Sequence, residues 1–356
     1  QETLRRNCDS LEFIKHRSYR TNRTYMHKPV LLKEIISFFE PKPNENFIDA
    51  TFGDGGHAIE ILKYTAPEGK ILAIDWDKKA IESFDGHGLD TRSIFKYASE
   101  PQQIAPAEAS EQDRSGVEPM PVRRKERLIL VCGNFADIYK IADSADFKES
   151  KGVLFDFGLR TFHIEESGKG FSFQKDEPLD MRYHSPQIHA DQTRICADNS
   201  LTAEKIVNEW PEKDLERIFR EYGEERNAKR IARSITESRE RGSIKTGGEL
   251  VEIINSRDVK TLARVFQALR IAVNNELENI KLGLEEAWIV ISKDGKIAAI
   301  SFHSLEDRIV KNFFADKKKI GEGEILTKKP VIASEEEIKN NPKSRSAKLR
   351  VIRKCL

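Results

Sequence analysis

Short apolar runs separated by helical patterns dominate the chain and predict the order of its elements. Strands are predicted at residues 47–51, 71–75, 128–132, 153–156 and 297–302. Helical apolar spacing lies between most of them. Residues 30–39 predict a helix that precedes the first strand. This helix ends at Glu40, because Pro41 disfavours helix in the residue before it. This alternation predicts an α/β fold with a doubly wound parallel sheet.

A different pattern covers residues 185–286, where strand signals vanish and helices dominate. Helices are predicted at residues 202–208, 212–222, 225–239 and 261–287. In the last of these, Leu262, Phe266 and Leu269 belong to an apolar series with three- and four-residue steps. We therefore predict a sheet domain in two parts, with a helical domain inserted between them. The predicted segments are a basic arm at 1–26, the sheet domain at 27–184 and 287–356, and the helical domain at 185–286.

Residues 85–127 break the alternation of strands and helices. They are rich in Pro, Ala, Glu, Ser and Gln, and they end in Arg123-Arg124-Lys125. Such a composition buries little apolar surface and predicts a long surface loop. We interpret its basic end as a solvated linker rather than as a nucleic-acid contact.

Composition excludes several classes of protein. The 356 residues, 38% of them hydrophobic, suffice for a sizeable core, and no apolar run approaches the roughly 18–20 residues of a membrane span. The sequence therefore predicts a soluble globular protein. The four cysteines form no CxxC pair or Cys/His cluster, so we expect reduced thiols and no bound metal. Sixty basic and 59 acidic side chains nearly cancel, so local patches would have to hold any RNA.

The composition of residues 1–28 bears on the cellular compartment of the protein. Residues 1–28 are rich in Lys and Arg and poor in acids. A remnant of an organelle-targeting leader or an ordinary basic arm has this composition, and the arm is favoured. The expected location is the cytoplasm, with a mitochondrion or plastid as the alternatives.

The most informative stretch for chemistry is Asn46-Phe-Ile-Asp-Ala-Thr-Phe-Gly-Asp-Gly-Gly-His57, an apolar strand that enters a glycine-rich turn and then a helix. The next apolar run ends at Asp75, where an open parallel sheet places an acid against ribose hydroxyls. Together they predict an adenosyl-cofactor site. Alone they do not separate nicotinamide, flavin and adenosylmethionine enzymes.

Further motifs follow in order along the chain. They are Val153-Leu-Phe-Asp156-Phe-Gly158, Gly170-Phe-Ser-Phe173, Pro178-Leu-Asp-Met-Arg182, Tyr222-Gly-Glu-Glu-Arg226, Phe266-Gln-Ala-Leu-Arg270, Ser301-Phe-His-Ser-Leu-Glu-Asp-Arg308 and a basic run from Asn341 to Arg350. This ordered set resembles the RsmH (MraW) family, which uses S-adenosylmethionine to methylate the exocyclic amine of a cytidine in small-subunit ribosomal RNA. The resemblance implies a class I methyltransferase fold with an inserted helical substrate-recognition domain. It implies small-subunit ribosomal RNA or the small ribosomal subunit as partner and leaves dimerisation open.

The resemblance also implies which residues bind S-adenosylmethionine. They are Gly53, Gly55, Gly56, His57, Asp75, Phe135, Asp156 and His163. Glycines let the backbone approach the ligand, the following helix favours the methionine carboxylate, and Asp75 can accept from ribose hydroxyls. Phe135 is expected to lie against the adenine. His163 stands where the family has glutamine, in a run from Leu159 that departs from the usual Val-Ser-Ser-Pro-Gln.

The target amine constrains the rest of the site. A cytosine amine is a poor nucleophile because its lone pair is delocalised into the ring, so the site must accept hydrogen bonds from it and aim it. Asp156 is the first catalytic candidate, followed by Asp180 and His303, although a structural role for His303 is equally open. Candidate RNA contacts are Arg182, Arg226, Arg230, Arg233, Arg270, Lys343, Arg345 and Lys348. A solvated basic face is the alternative for these cations.

Two other functions stay open beside a ribosomal RNA cytidine N4-methyltransferase. The altered run at 159–163 favours a noncatalytic RNA-binding factor for ribosome assembly, whereas the intact glycine turn, Asp75, Asp156 and Asp180 favour the enzyme. A nicotinamide oxidoreductase would need a hydride-transfer constellation that the sequence does not show. The methyltransferase is the leading interpretation.

Overall fold

The centre of the fold is one β-sheet, seen in a computed structural model that describes residues 28–84, 122–125, 127–147, 149–159, 164, 167–183 and 201–356. Its strands are β1 (Asn46–Asp49), β2 (Ile71–Asp75), β3 (Val122–Lys125), β4 (Leu128–Cys132), β5 (Ser150–Asp156), β6 (Ile291–Ser301), β7 (Gly323–Ile325) and β8 (Lys348–Lys354). The predicted basic arm, most of the predicted loop at 85–127 and His163 lie outside the described residues.

The order of the strands confirms the doubly wound prediction. Across the described part of the chain the order is β3-β4-β2-β1-β5-β6-β8-β7. Strands β4, β2, β1, β5 and β6 are parallel, while β8 runs antiparallel to both β6 and β7. The chain leaves β1 toward β2 and β4 and then returns to β5 on the other side of β1. This reversal marks the switch point where open α/β sheets bind ligands, and the arrangement is the class I fold that the resemblance implies.

Helices cover both faces of the sheet and form a separate unit beside it. They are α1 (Leu32–Phe39), α2 (Gly56–Tyr64), α3 (Lys78–Ser83), α4 (Ile138–Ser144), α5 (Ala203–Glu209), α6 (Glu212–Glu221), α7 (Ala228–Arg239), α8 (Gly247–Ile254), α9 (Val259–Asn274), α10 (Glu276–Val290), α11 (Ser304–Lys319) and α12 (Glu335–Asn340). None of the helices described here is long and apolar enough to cross a bilayer.

Alternation along the central strands builds two hydrophobic clusters. In β2, Leu72 and Ile74 join the cluster that includes α4, α10 and α11, whereas Ile71 and Ala73 join the cluster that includes α1 and α2. Successive side chains of a strand point to opposite faces, so an entirely apolar strand is buried on both sides. This explains why continuous apolar runs predicted β2 and β4 with their bounds, whereas β5 and β6 begin three and six residues before the predicted starts at 153 and 297.

The helical unit packs around a third hydrophobic cluster, which draws on α5 to α9 and on Leu179 and Met181. The single helix predicted over 261–287 is wrong, because Asn275 adopts a left-handed conformation with φ of 49° and separates α9 from α10. Asparagine tolerates this conformation better than most residues. Since α10 contributes Ile280 and Leu284 to a sheet cluster, we propose that the inserted unit ends at Asn275 rather than at 286.

Three strands were not predicted. Val122–Lys125 pairs antiparallel with β4 at the edge of the sheet, although the sequence predicted a loop there. Its three consecutive basic residues hide the strand pattern, and positive charge is common on edge strands because it discourages further pairing. Strand β8 was interpreted only as part of a basic run, and β7 spans too few residues to show a period.

Candidate functional site

The glycine turn between β1 and α2 has a shape that other residues could not adopt without strain. Gly53 and Gly55 have φ of 57° and 81°. A Cβ atom at Gly55 would lie 2.7 Å from the ring of Phe52, and one at Gly56 would lie 3.0 Å from the ring of Pro29. The turn therefore depends on all three glycines, and it aims the first N–H groups of α2 out of the sheet edge.

Asp75 at the end of β2 is joined to this turn. Its Oδ2 accepts the Gly53 N–H at 2.7 Å, and its Oδ1 accepts the Asp77 N–H at 2.8 Å. These bonds fix the carboxylate at the carboxyl end of the strand. The structure thus brings together the two sequence features that predicted an adenosyl site.

Asp49 is a site residue that the sequence analysis missed. It ends β1, it is only 2% exposed, and its Oδ1 accepts the Thr51 N–H at 3.2 Å. Burial raises the pKa of Asp49 to about 7, and the charges of Asp156 and Asp75 add to the rise. The available signal was its place in the strand that leads into the glycine turn.

Asp156 ends β5 on the other side of β1 and faces His57. Its backbone N–H donates to Thr51 Oγ1 at 2.6 Å, and its Oδ1 accepts the Gly158 N–H at 3.2 Å. Its Oδ2 lies 4.0 Å from His57 Nδ1, while His57 Nε2 is 2.9 Å from the Val30 carbonyl oxygen. Burial raises the pKa of Asp156, and the neighbouring His57 opposes the rise.

The charge of this site fits the expected cofactor. Three carboxylates, those of Asp49, Asp75 and Asp156, end three adjacent strands around one turn. Burial raises the pKa of Asp49, and repulsion by Asp156 and Asp75 adds to the rise, so a positively charged ligand is favoured there. S-adenosylmethionine carries a positive sulfonium and a positive ammonium, and its carboxylate suits the N-terminus of α2.

Phe135 follows β4 in a 3-10 helix and lies beside α10. Its ring centroid is 5.8 Å from that of Phe155 and 6.0 Å from that of Phe157. A Cβ atom at Gly283 would lie 2.6 Å from Phe135 Cδ2, so α10 supports the ring closely. Its predicted contact with adenine stays a prediction.

Asp180 and Arg182 form a bidentate pair. Arg182 donates from Nε to Asp180 Oδ1 at 2.6 Å and from a terminal nitrogen to Oδ2 at 2.8 Å. Burial raises the pKa of Asp180, but the hydrogen bonds and charge of Arg182 outweigh this and hold the pKa below its ordinary value. Asp180 and Arg182, which were both predicted as site residues, therefore bond mainly to each other.

Arg270 also lies in an internal pair. It donates to both carboxylate oxygens of Glu276, at 2.8 and 2.9 Å, and Tyr183 donates its hydroxyl to the same carboxylate at 2.6 Å. Burial lowers the pKa of Arg270, but the charge of Glu276 outweighs it and the net change is upward. Tyr183 stacks on Phe171 with ring planes 9° apart, and neither Tyr183 nor Glu276 was predicted.

His303 is the N-cap of α11. Its Nδ1 accepts the Glu306 N–H at 3.5 Å, and Glu306 Oε2 accepts the Phe302 and His303 N–H groups in return. His303 Nε2 lies 3.1 Å from Glu306 Oε1 but without hydrogen-bond geometry. Single ligand atoms of Glu276, His303 and Glu306 lie within 4.8 Å of one another, yet Glu276 already accepts from Arg270 and Tyr183. We interpret the group as a hydrogen-bonded cluster rather than a cation site.

The other predicted RNA contacts lie on the surface, away from the glycine turn. Arg226 is exposed just before α7, whereas Arg230 donates to the Ile254 carbonyl and Arg233 pairs with Glu237. Lys343 and Arg345 are exposed on the 3-10 helix Pro342–Ser346, and Lys348 begins β8. The sequence predicted these cations as one class, and the structure shows that Arg230 and Arg233 are exposed but also bonded within the helical unit.

Comparison with known proteins identifies the family. The sequence profile of the MraW methylase family matches residues 24–87 and 86–355. The ribosomal RNA small subunit methyltransferase H of Persephonella marina is 40% identical over 336 residues, which covers 92% of this chain and 99% of that protein. The protein of the same name from Sulfurihydrogenibium sp. is 42% identical over 339 residues, with 92% and 99% covered. The chain belongs to the MraW methylase family.

Proposed function

We propose that this chain is an S-adenosylmethionine-dependent methyltransferase that modifies the exocyclic N4 amine of a cytidine in small-subunit ribosomal RNA. The observation that carries the proposal is the meeting of the glycine turn, Asp75 and Asp156 at the switch point of a methylase fold. Relatives named as small-subunit ribosomal RNA methyltransferases cover nearly the whole chain and support this substrate. The proposed location is the cytoplasm.

The cofactor would be held by the residues around the glycine turn. When bound, S-adenosylmethionine supplies an electrophilic methyl group on a positively charged sulfur. The turn at Gly53, Gly55 and Gly56 lets the backbone approach it, and the N-terminus of α2 favours its carboxylate. Asp75 would accept from the ribose hydroxyls, and Phe135 would lie against the adenine.

Asp156 would receive the target amine. Its Oδ1 already accepts the Gly158 N–H, so Oδ2 is the oxygen that can accept a hydrogen bond from the amine. The bond draws electron density toward the amine nitrogen and aims its lone pair. Asp180 and His303 are held by Arg182 and by the cap of α11, so we assign them positioning roles in the same cleft.

RNA would reach the cleft as a single strand or with one base flipped out, because an amine inside a duplex is inaccessible. The exposed cations Arg226 and Lys229 on the helical unit, and Lys343 and Arg345 near the last strand, are the proposed phosphate contacts. Arg182 and Arg270 are better suited to support the site from within, because their guanidinium groups are engaged in internal pairs.

The second candidate function, a noncatalytic ribosome-assembly factor, is not favoured. It was motivated by the altered run at 159–163, of which residues 160–163 lie outside the described ranges. The cofactor turn, Asp75 and Asp156 keep the geometry that methyl transfer needs. A protein that only bound RNA would not require these constraints.

A direct experiment tests the proposal. The protein is incubated with radiolabelled S-adenosylmethionine and small ribosomal subunits from cells that lack the endogenous activity, and the labelled nucleoside is identified after digestion. Label in N4-methylcytidine is expected. Asp156→Ala should lower transfer far more than it lowers the melting temperature. No label despite measurable cofactor binding would favour the assembly factor.

A further inference from the structure

The ring of His57 is fixed in one tautomer by the backbone. Its Nε2 lies 2.9 Å from the Val30 carbonyl oxygen, and a carbonyl oxygen can only accept a hydrogen bond. The hydrogen of the neutral ring is therefore on Nε2, and Nδ1 carries a lone pair. The side chain is only 8% exposed, so its orientation is set by the protein rather than by solvent.

Asp156 is fixed opposite this lone pair. Thr51 Oγ1 accepts its backbone N–H, and the Gly158 N–H occupies Oδ1. Asp156 Oδ2 then lies 4.0 Å from His57 Nδ1, and both atoms are hydrogen-bond acceptors. No described residue places a donor between them. An amine placed between these two acceptors could donate a hydrogen bond to either of them.

We infer that His57 Nδ1 and Asp156 Oδ2 together take the proton that the target amine releases, an assignment that rests on the function proposed above. Once methylated, the amine nitrogen carries one proton too many. Its N–H bond breaks, the electron pair stays on nitrogen, and the proton passes to Asp156 Oδ2 and on to His57 Nδ1 through one water, because the two atoms lie 4.0 Å apart. An imidazolium beside a carboxylate results, and loss of the proton to water restores the neutral ring.

The charges around the pair favour this outcome. Asp49 lies on the neighbouring strand β1, and Glu306 lies on α11; both act electrostatically on Asp156, and Asp75 acts on Asp49. All are acids, and with burial they disfavour the charged form of Asp156, so a proton taken up by its carboxylate is favoured. The cofactor contact expected for His57 can be made by its backbone N–H, which lies in the first turn of α2 and needs no part of the ring.

The variant His57→Gln separates the hydrogen bond that the ring donates to Val30 from the proposed acceptance of a proton. Glutamine can still donate from Nε2 to the Val30 carbonyl, but it offers no titratable nitrogen toward Asp156. We expect kcat for methyl transfer to small subunits to fall about 100-fold, in the range that a general base contributes. The KM for the subunits and the Kd for S-adenosylmethionine, measured by calorimetry, should change less than about threefold, which is under 1 kcal/mol.

A second measurement needs no turnover. Nitrogen-15 NMR of the ligand-free protein labelled on histidine, with His57 assigned by its loss in His57→Gln, should show the Nε2–H tautomer. Hydrogen on Nδ1 would overturn the inference. Full kcat in His57→Gln, or a fall in kcat matched by an equal loss of cofactor affinity, would also overturn it. Absence of transfer by the unmodified protein would instead count against the proposed function, and the NMR result would stand apart from it.

Discussion

The carboxylate of Asp75 accepts the backbone N–H of Gly53 at 2.7 Å, so the end of β2 is fastened to the turn that follows β1. A change at Asp75 therefore alters both a ligand contact and the shape of the turn. We expect Asp75→Ala to weaken S-adenosylmethionine binding by about 10- to 100-fold, since a hydrogen bond to a charged group is worth about 1.5–3 kcal/mol. Calorimetry measures the change. Asp75→Asn, which keeps an acceptor for Gly53, should lose less, and unchanged binding in Asp75→Ala would refute the contact.

The raised pKa of Asp49 predicts how stability depends on pH. In the unfolded chain the carboxyl ionises near its ordinary pKa of 3.8, whereas the folded chain holds the proton up to about pH 7. Between these values the folded chain binds more protons, so the free energy of unfolding falls as the pH rises. Asp49→Asn should match the unmodified protein at pH 4 and exceed its stability by about 2–4 kcal/mol at pH 8.

Urea unfolding at the two pH values checks this difference. Titrating groups far from Asp49 contribute equally to both proteins, so the comparison reports Asp49 together with its interactions with Asp75 and Asp156. A stability difference between Asp49→Asn and the unmodified protein that is the same at pH 4 and pH 8 would show that folding does not raise the pKa of Asp49.

Arg270 and Arg226 should respond differently to removal, although the sequence predicted RNA contact for both. Arg270→Ala leaves the carboxylate of Glu276 without its main partner and should lower the free energy of unfolding by about 3–5 kcal/mol. Arg226→Ala removes an exposed cation and should leave unfolding unchanged. RNA binding should weaken in Arg226→Ala, and the dependence of log affinity on log salt should decrease by about one unit. An unaltered salt dependence would exclude a phosphate contact at Arg226.

Gly283→Ala tests the position of Phe135. The added methyl would lie 2.6 Å from Phe135 Cδ2, so the ring must move. Alanine is better than glycine inside a helix by roughly 0.5–1 kcal/mol, so lost binding would come from the ring rather than from α10. We expect S-adenosylmethionine affinity to fall by about tenfold, or 1.4 kcal/mol. Gly242→Ala, where an added Cβ meets nothing within 4 Å, is the matched control. If both variants bind S-adenosylmethionine with equal affinity, the proposed contact between Phe135 and adenine is wrong.

Glu337→Ala tests how the backbone that orients His57 is held. Glu337 Oε1 accepts the Leu31 N–H at 2.8 Å, and Asn341 donates to the Lys28 carbonyl at 3.0 Å. Loss of the Glu337 bond should cost about 0.5–1.5 kcal/mol and let the Val30 carbonyl drift from the ring. We expect kcat to fall several-fold and the His57 nitrogen signals to show both tautomers. Glu336→Ala, at an exposed position on the same helix, should do neither.

The inner sheet could be predicted from the sequence because its strands are apolar on both faces. The runs at 71–75 and 128–132 match β2 and β4 residue for residue. The glycine turn and Asp75 were also predictable, since backbone shape and a strand-end acid each leave a local signal. Strand β3 was not predictable, because its basic residues resemble those of a solvated loop, although it pairs with β4, the next strand along the chain.

The hydrogen-bond partners of the site residues could not be predicted from the types of residue in the sequence. Arg182 and Arg270 carry the same charge as Arg226, and only the fold shows that carboxylates two and six residues away already bind them. The contact between His57 and Val30 joins residues 27 positions apart through a backbone oxygen, which no side-chain pattern encodes. A sequence shows more readily which residues have functional side chains than which of those side chains are already bonded to another group of the protein.

The strand order β6-β8-β7 has a consequence for how the protein is made. Strand β8 is synthesised after the other described strands, yet it lies inside the sheet, and among those strands it is the sole neighbour of β7. While residues 348–354 are still within the ribosome, β6 presents an open edge and β7 has nothing to pair with. A translation stop before residue 348 would therefore leave a chain with an unprotected apolar strand, which is a substrate for chaperones and proteases rather than a shortened enzyme.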